Sequence, residues 1–105
     1  MYKPIFRSHF DKDIKKLRRK NKKDVIKLIE VAINDYLKHD PYKNSKSLTG
    51  LYLGKRKYKK RYNQNELRVV FAICEECKSL NHQRFNSCND CQEHDDNTLI
   101  FLKRV

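Results

Sequence analysis

The sequence predicts an α+β domain: a small twisted antiparallel sheet of about four strands, packed by an N-terminal helical hairpin, with a cysteine-bearing loop inserted in the last β-hairpin. Three observations carry this. Val25, Leu28, Ile29, Ala32, Ile33, Tyr36 and Leu37 recur at helical spacing. "LRVVFAI" and "TLIFLKRV" are short runs rich in Val, Ile, Leu and Phe, the pattern of strands covered by helices. Between them, two Cys-x-x-Cys pairs occupy "ICEECKSLNHQRFNSCNDC". At 105 residues the chain is expected to be a single domain, 1–105, with 74–96 as its insertion.

Taken in order, Tyr2 to Arg7 reads as a short strand near a sheet edge, because Pro4 cannot donate to a central ladder. Asp11 is a candidate N-cap for a lysine- and arginine-rich first helix whose thin apolar stripe is Ile14 and Leu17. "RRKNKKD" breaks at Asn21, and Asp24 suits the start of the second helix, where it complements the dipole. That helix should end near His39, ahead of Pro41. "PYKNSKSLTG" is polar loop up to Leu48, and residues 51–62 run as a strand into the turn-like "YNQNE". The three later strands then form a meander.

A formal charge of +12 points to a polyanionic partner, nucleic acid before anionic membrane. No apolar run approaches the ~20 residues of a membrane span, and the N-terminus lacks the apolar centre of a signal peptide, so a cytoplasmic location is expected. Cysteines remain reduced there, which favours metal ligation over disulfides. Cys74, Cys77, Cys88 and Cys91 follow C-x2-C-x10-C-x2-C, a spacing that can bring four thiolates to one tetrahedral Zn²⁺. His82 and His94 are alternative ligands, but four sulfurs already complete the shell, and ordinary exposed histidines are the preferred reading. A site closed by four protein ligands orders its loop and leaves no position for an activated water.

Function is therefore sought on the basic run "GKRKYKKR". Strand alternation sends Lys55, Lys57, Lys59 and Arg61 to one face and Arg56, Tyr58, Lys60 and Tyr62 to the other. An edge strand protected by lysines would look the same. Arg68 and Arg104, on the two apolar strands, tip the balance, since charges in otherwise buried strands need a counter-ion and a phosphate would serve. Fixed cations on a concave sheet can also stabilise the extra charge of a pentacovalent phosphorus.

The chain resembles the RelE/ParE superfamily of bacterial toxins, and more particularly the ribosome-dependent messenger RNA endonucleases of RelE type. The resemblance is carried by "YKPIFRSHF" before "DKDIKKL", the second amphipathic helix, "SLTG" ahead of the basic strand, "LRVVFAI" and the closing "TLIFLKRV". It spans nearly the whole chain and rests on the order of short motifs; the cysteine segment is additional to it. The resemblance implies attack of a ribose 2′-hydroxyl on the adjacent phosphorus in the decoding site, with translation blocked and no catalytic metal. It implies phosphate contacts from Lys59 and Arg61, transition-state stabilisation by Arg68, and a proton donor or phosphate clamp in Arg104. Lys55, Arg56, Lys57, Tyr58 and Lys60 would contact RNA, with Tyr58 and Tyr62 as candidates for base stacking or sheet packing. The partners implied are a cognate acidic antitoxin, the ribosome and messenger RNA, and no membrane.

Members of that family usually continue beyond the last strand with a tyrosine, or a histidine and an aromatic residue, that takes part in catalysis. This sequence stops at Val105, which the resemblance reads as a shortened chain or a weakened activity, with the general base unassigned. Two other classes stay open: a gyrase-inhibiting toxin of the ParE branch, and a zinc-stabilised RNA-binding module without catalysis.

Overall fold

The computed structural model describes residues 1–52, 54–80 and 93–104. β1 (Lys3–Phe6) leads into α1 (Ser8–Arg19) and α2 (Lys23–Val31), which continues as a wider π-helical turn over Ala32–Leu37. There follow β2 (Lys46–Ser47), a 3₁₀ turn at Gly50–Tyr52, β3 (Arg56–Tyr62), β4 (Asn65–Ile73), α3 (Cys74–Leu80) and β5 (Thr98–Arg104).

The helical hairpin forms where the apolar spacing places it, and its turn has a specific cause. Asn21 adopts φ 57°, in the left-handed region. The Lys22 N–H then reaches the Leu17 carbonyl at 2.9 Å, and the Asn21 N–H reaches that of Arg18 at 3.1 Å. This is the Schellman closure, with asparagine in the place glycine often takes. Asp11 is not the N-cap. The helix starts at Ser8 with Arg7 as N-cap, and Asp11 lies within the first turn, where a carboxylate still complements the dipole. Farther on, the Lys38 N–H bonds back five residues to Ile33 at 3.0 Å. The widened turn keeps Ile33 and Leu37 buried, while Tyr36, expected on the apolar stripe, is exposed.

The sheet has five strands, not four, in the order β1-β5-β4-β3-β2. It is mixed, not wholly antiparallel, because β1 pairs parallel with β5 from Lys3 opposite Thr98 to Phe6 opposite Phe101. The intervening helices carry the chain to the far edge, and that crossover allows a parallel partner. β2 holds only Lys46 and Ser47, opposite Lys57 and Arg56, so most of β3 remains an edge.

One face of the sheet receives the helical hairpin. Phe10, Leu17, Val25, Ile29, Ile33 and Leu37 pack there on Tyr58, Leu67, Val69, Phe71, Leu99 and Phe101. Phe101 stands at the centre, with the Phe6, Phe10 and Phe71 rings at centroid distances of 5.5, 5.6 and 5.5 Å. On the other face a smaller cluster joins Ala72, Ile100, Cys74 and Cys77, with Ile5 and Leu102 against it. One end of β4 and β5 is thus covered on both sides, which is why their sequence is continuously apolar. Among the described residues no helix is long and apolar enough to cross a membrane.

Candidate nucleic-acid interface

The second face changes character along its length. Beyond the cluster under α3, Lys57 pairs with Val70, Lys59 with Arg68 and Arg61 with Glu66. Directly paired residues share a face, so alternation assembles Lys57, Lys59, Arg61 and Arg68 on the open side, away from the hairpin. Lys59 and Arg68 keep 54% and 48% of their side chains exposed, enough for a ligand to reach them.

Arg68 is not a buried charge awaiting a phosphate. Its Nε donates to Glu66 Oε1 at 2.6 Å, and Lys59 Nζ lies 3.5 Å from Glu66 Oε2. The Arg68 hydrogen bond, with the Lys59 charge behind it, holds the Glu66 carboxyl below the usual carboxylate range. Glu66 is a site residue that the sequence reading missed. Its signal was available, because residues 66 and 68 of one strand must share a face.

The opposite parity of β3 behaves differently from expectation. Tyr58 is in the core and Tyr62 packs against it, so neither is displayed for base stacking. Arg56 is also committed inside the fold. Its guanidinium bonds Glu76 Oε2 at 2.7 Å, Ser45 Oγ at 2.8 Å, and the Tyr42 and Ser45 carbonyls at 3.2 Å each. Tyr42 completes this clip by donating to Glu75 Oε1 at 2.8 Å. Burial first, then that hydrogen bond, pushes the Tyr42 hydroxyl well above the ordinary tyrosine range. Lys60 is exposed, but it pairs with Leu67 and so belongs to the helix-side parity.

β5 contributes through an irregularity. Phe71 pairs with Phe101, whereas Val70 pairs with Lys103, so one extra residue, Leu102, is accommodated as a bulge. Lys103 consequently stands across from Val70 and joins the cationic side. Its Nζ lies 5.5 Å from the centroid of the Tyr52 ring, and Lys55 Nζ is also 5.5 Å from that ring. Arg104 takes the backbone position opposite Val69 rather than opposite Arg68; its side chain lies outside the described residues.

Cys74 and Cys77 sit one turn apart at the start of α3, both buried. Cys77 Sγ is 3.2 Å from the Gly54 carbonyl, a contact that a thiol makes as donor. The helix is tied to the start of β5 by Lys78, whose Nζ donates to the His94 carbonyl at 2.5 Å and to Asp96 Oδ1 at 3.0 Å. His82, Cys88 and Cys91 lie outside the described residues. Among the described residues, no group of three or more histidine, cysteine or carboxylate side chains is placed to hold a metal ion.

Compared by sequence, the chain matches no protein-family model and no curated protein. Compared by structure, it matches a chain of the toxin–antitoxin complex RelBE2 from Mycobacterium tuberculosis at a TM-score of 0.61 and 17% identity, over 98% of this chain and 94% of that one. The chain has the RelE-type toxin fold. The conserved hypothetical protein HP0894 from Helicobacter pylori is similar as well, with a TM-score of 0.57 and 17% identity over 99% of this chain and 92% of its own. Within the RelE-type fold, the cations described above occupy the side of the sheet that the helical hairpin leaves open, and the cysteine helix α3 closes one end of that side.

Proposed function

We propose that the protein is the toxin of a toxin–antitoxin pair and cuts translated messenger RNA on the ribosome. The observation that carries this reading is the open row of Lys57, Lys59, Arg61 and Arg68, with Lys59 and Arg68 side by side across two strands. In the reaction a ribose 2′-oxygen bonds to the adjacent phosphorus as its proton passes to a base. The phosphorus–O5′ bond breaks and O5′ takes up a proton from a general acid or from water, leaving a 2′,3′-cyclic phosphate and a 5′-hydroxyl. Charge grows on the non-bridging oxygens, where fixed cations lower the barrier most. In this reading the phosphate displaces Glu66 as the partner of Arg68 and Lys59. A cognate acidic antitoxin would hold the same cations inactive.

A structural zinc ion on Cys74, Cys77, Cys88 and Cys91 belongs to the proposal. Two buried thiols one helical turn apart suit a soft metal, and binding would convert Cys77 from a donor at Gly54 into a thiolate ligand. The deciding experiment is single-turnover cleavage of messenger RNA on programmed ribosomes. Cuts within the decoding site that vanish with Lys59→Ala or Arg68→Ala support the reading. An intact message, together with inhibited gyrase supercoiling, would move the protein to the gyrase-directed class.

A further inference from the structure

The geometry points to Tyr52 as a nucleobase-stacking platform at the head of the cationic row; this deepens the RNA reading above and rests on it. Tyr52 is 47% exposed although Lys55 and Lys103 both place an ammonium group 5.5 Å from its ring centroid. An exposed aromatic ring flanked by two mobile ammonium groups is the combination by which proteins hold single-stranded nucleic acid: the ring takes the base as the lysines move to the flanking phosphates.

The ring is held in place by its backbone. Gly50, at φ +66°, makes the turn, and the Tyr52 N–H reaches the Thr49 carbonyl at 3.3 Å. The Tyr52 carbonyl accepts from the Lys55 N–H at 3.0 Å, and the Leu48 N–H closes the loop onto the Lys55 carbonyl at 3.0 Å. Gly54, within the same turn, is buried beside α3, its carbonyl 3.2 Å from Cys77 Sγ.

Its position suits a strand already held at Lys59 and Arg68. Lys103 stands opposite Val70, two residues from Arg68 along β4, which is about 6.6 Å of strand. A phosphate at Arg68 and Lys59 therefore leaves the neighbouring nucleotide at Lys103 with its base against Tyr52. Because every base has a π-face, the platform tolerates any sequence and favours purines for their larger stacking surface.

The test uses a short single-stranded RNA carrying 2-aminopurine, whose fluorescence is quenched on stacking, and the full chain. The wild type and Tyr52→Phe should quench the probe. Tyr52→Ala should lose the quenching and bind about 5- to 100-fold more weakly, with its thermal unfolding monitored alongside. Tyr52→Leu, which keeps apolar bulk without a ring, should resemble the alanine variant. Binding restored by leucine, or quenching unchanged in a folded alanine variant, would overturn the inference, as would a wild type that leaves the probe unquenched. Cleavage on ribosomes is scored separately: Tyr52-dependent quenching by a protein that does not cut would uphold the platform and remove the nuclease.

Discussion

Arg68 and Glu66 lie on the same side of β4 and are joined at 2.6 Å, Nε to Oε1, on the open face of the sheet. The cation assigned to the transition state therefore already has an internal counter-ion, which an incoming phosphate must replace. Glu66→Gln removes that competition, and RNA should bind roughly 2- to 5-fold more tightly, with a steeper dependence on salt. Filter binding across a salt series measures both; unchanged affinity would mean that RNA does not reach Arg68.

The same pair sets a pH response. The folded-state pKa of Glu66 is depressed below its ordinary 4.5, so the pair's contribution to stability is present above that value and fades as pH falls through the lower, folded one. RNA affinity should move the other way over that acidic window, rising as Glu66 is protonated and releases Arg68. The rise should be absent in Glu66→Gln.

At the alkaline end the tyrosines act together. Burial raises Tyr42, Tyr2 and Tyr58 above the ordinary 10.0, Tyr42 the furthest. A raised acid favours the folded state below its unfolded value, and this contribution is lost as pH climbs through the folded one. Stability should therefore decline above about pH 10, and ultraviolet titration should show Tyr42 among the last phenols to ionise, a late component that Tyr42→Phe lacks.

Charge replacement separates catalysis from attraction. Lys59→Ala, Arg61→Ala and Arg68→Ala should each slow cleavage roughly 10- to 1,000-fold, while ribosome affinity falls less. Lys15→Ala, Lys16→Ala or Lys22→Ala on the helical hairpin should weaken binding modestly, and chiefly at low salt. If the helix variants abolish cleavage while Arg68→Ala cuts normally, the active face has been misplaced.

Arg56 should behave as a structural residue despite its place in the basic run. Arg56→Ala strands Glu76, whose Oε1 is already buried without a hydrogen-bond partner, and should cost about 3 kcal/mol in chemical unfolding. Zinc content by elemental analysis of untagged protein should be near one per chain. Serine at Cys74 or Cys77 should reduce activity only in proportion to lost folded protein.

Much of the fold was legible because apolar periodicity is a local property. The second helix, β4 and β5 each announce themselves within a few residues, and Asn21 marks the hairpin turn. The parallel pairing of β1 was not legible, since a strand's sequence does not encode the direction of its neighbour. β2 was missed because two residues carry no period. In the basic run, alternation separates Lys57, Lys59 and Arg61 from Arg56 and Tyr58, but it does not say that Tyr58 enters the core and that Arg56 is engaged by Ser45, Tyr42 and Glu76. Whether Arg56 meets solvent or a carboxylate depends on Glu76 of α3, 20 positions along the chain and absent from any local pattern. Tyr52 gave no signal at all, because its setting is made by Lys103 from the far end of the chain.

The extra residue at Leu102 works like a frameshift written in geometry. Were the pairing of Phe101 with Phe71 continued without the bulge, position 102 would stand opposite Val70 and position 104 opposite Arg68; the extra residue instead puts Lys103 opposite Val70 and Arg104 opposite Val69. Roles transferred to this strand by counting from a relative without the bulge would thus land on the wrong side of the sheet. Deleting Leu102 itself would leave Lys103 opposite Val70 and Arg104 opposite Val69, so the facing of both cations is set by where the extra residue lies and not by how many residues follow it.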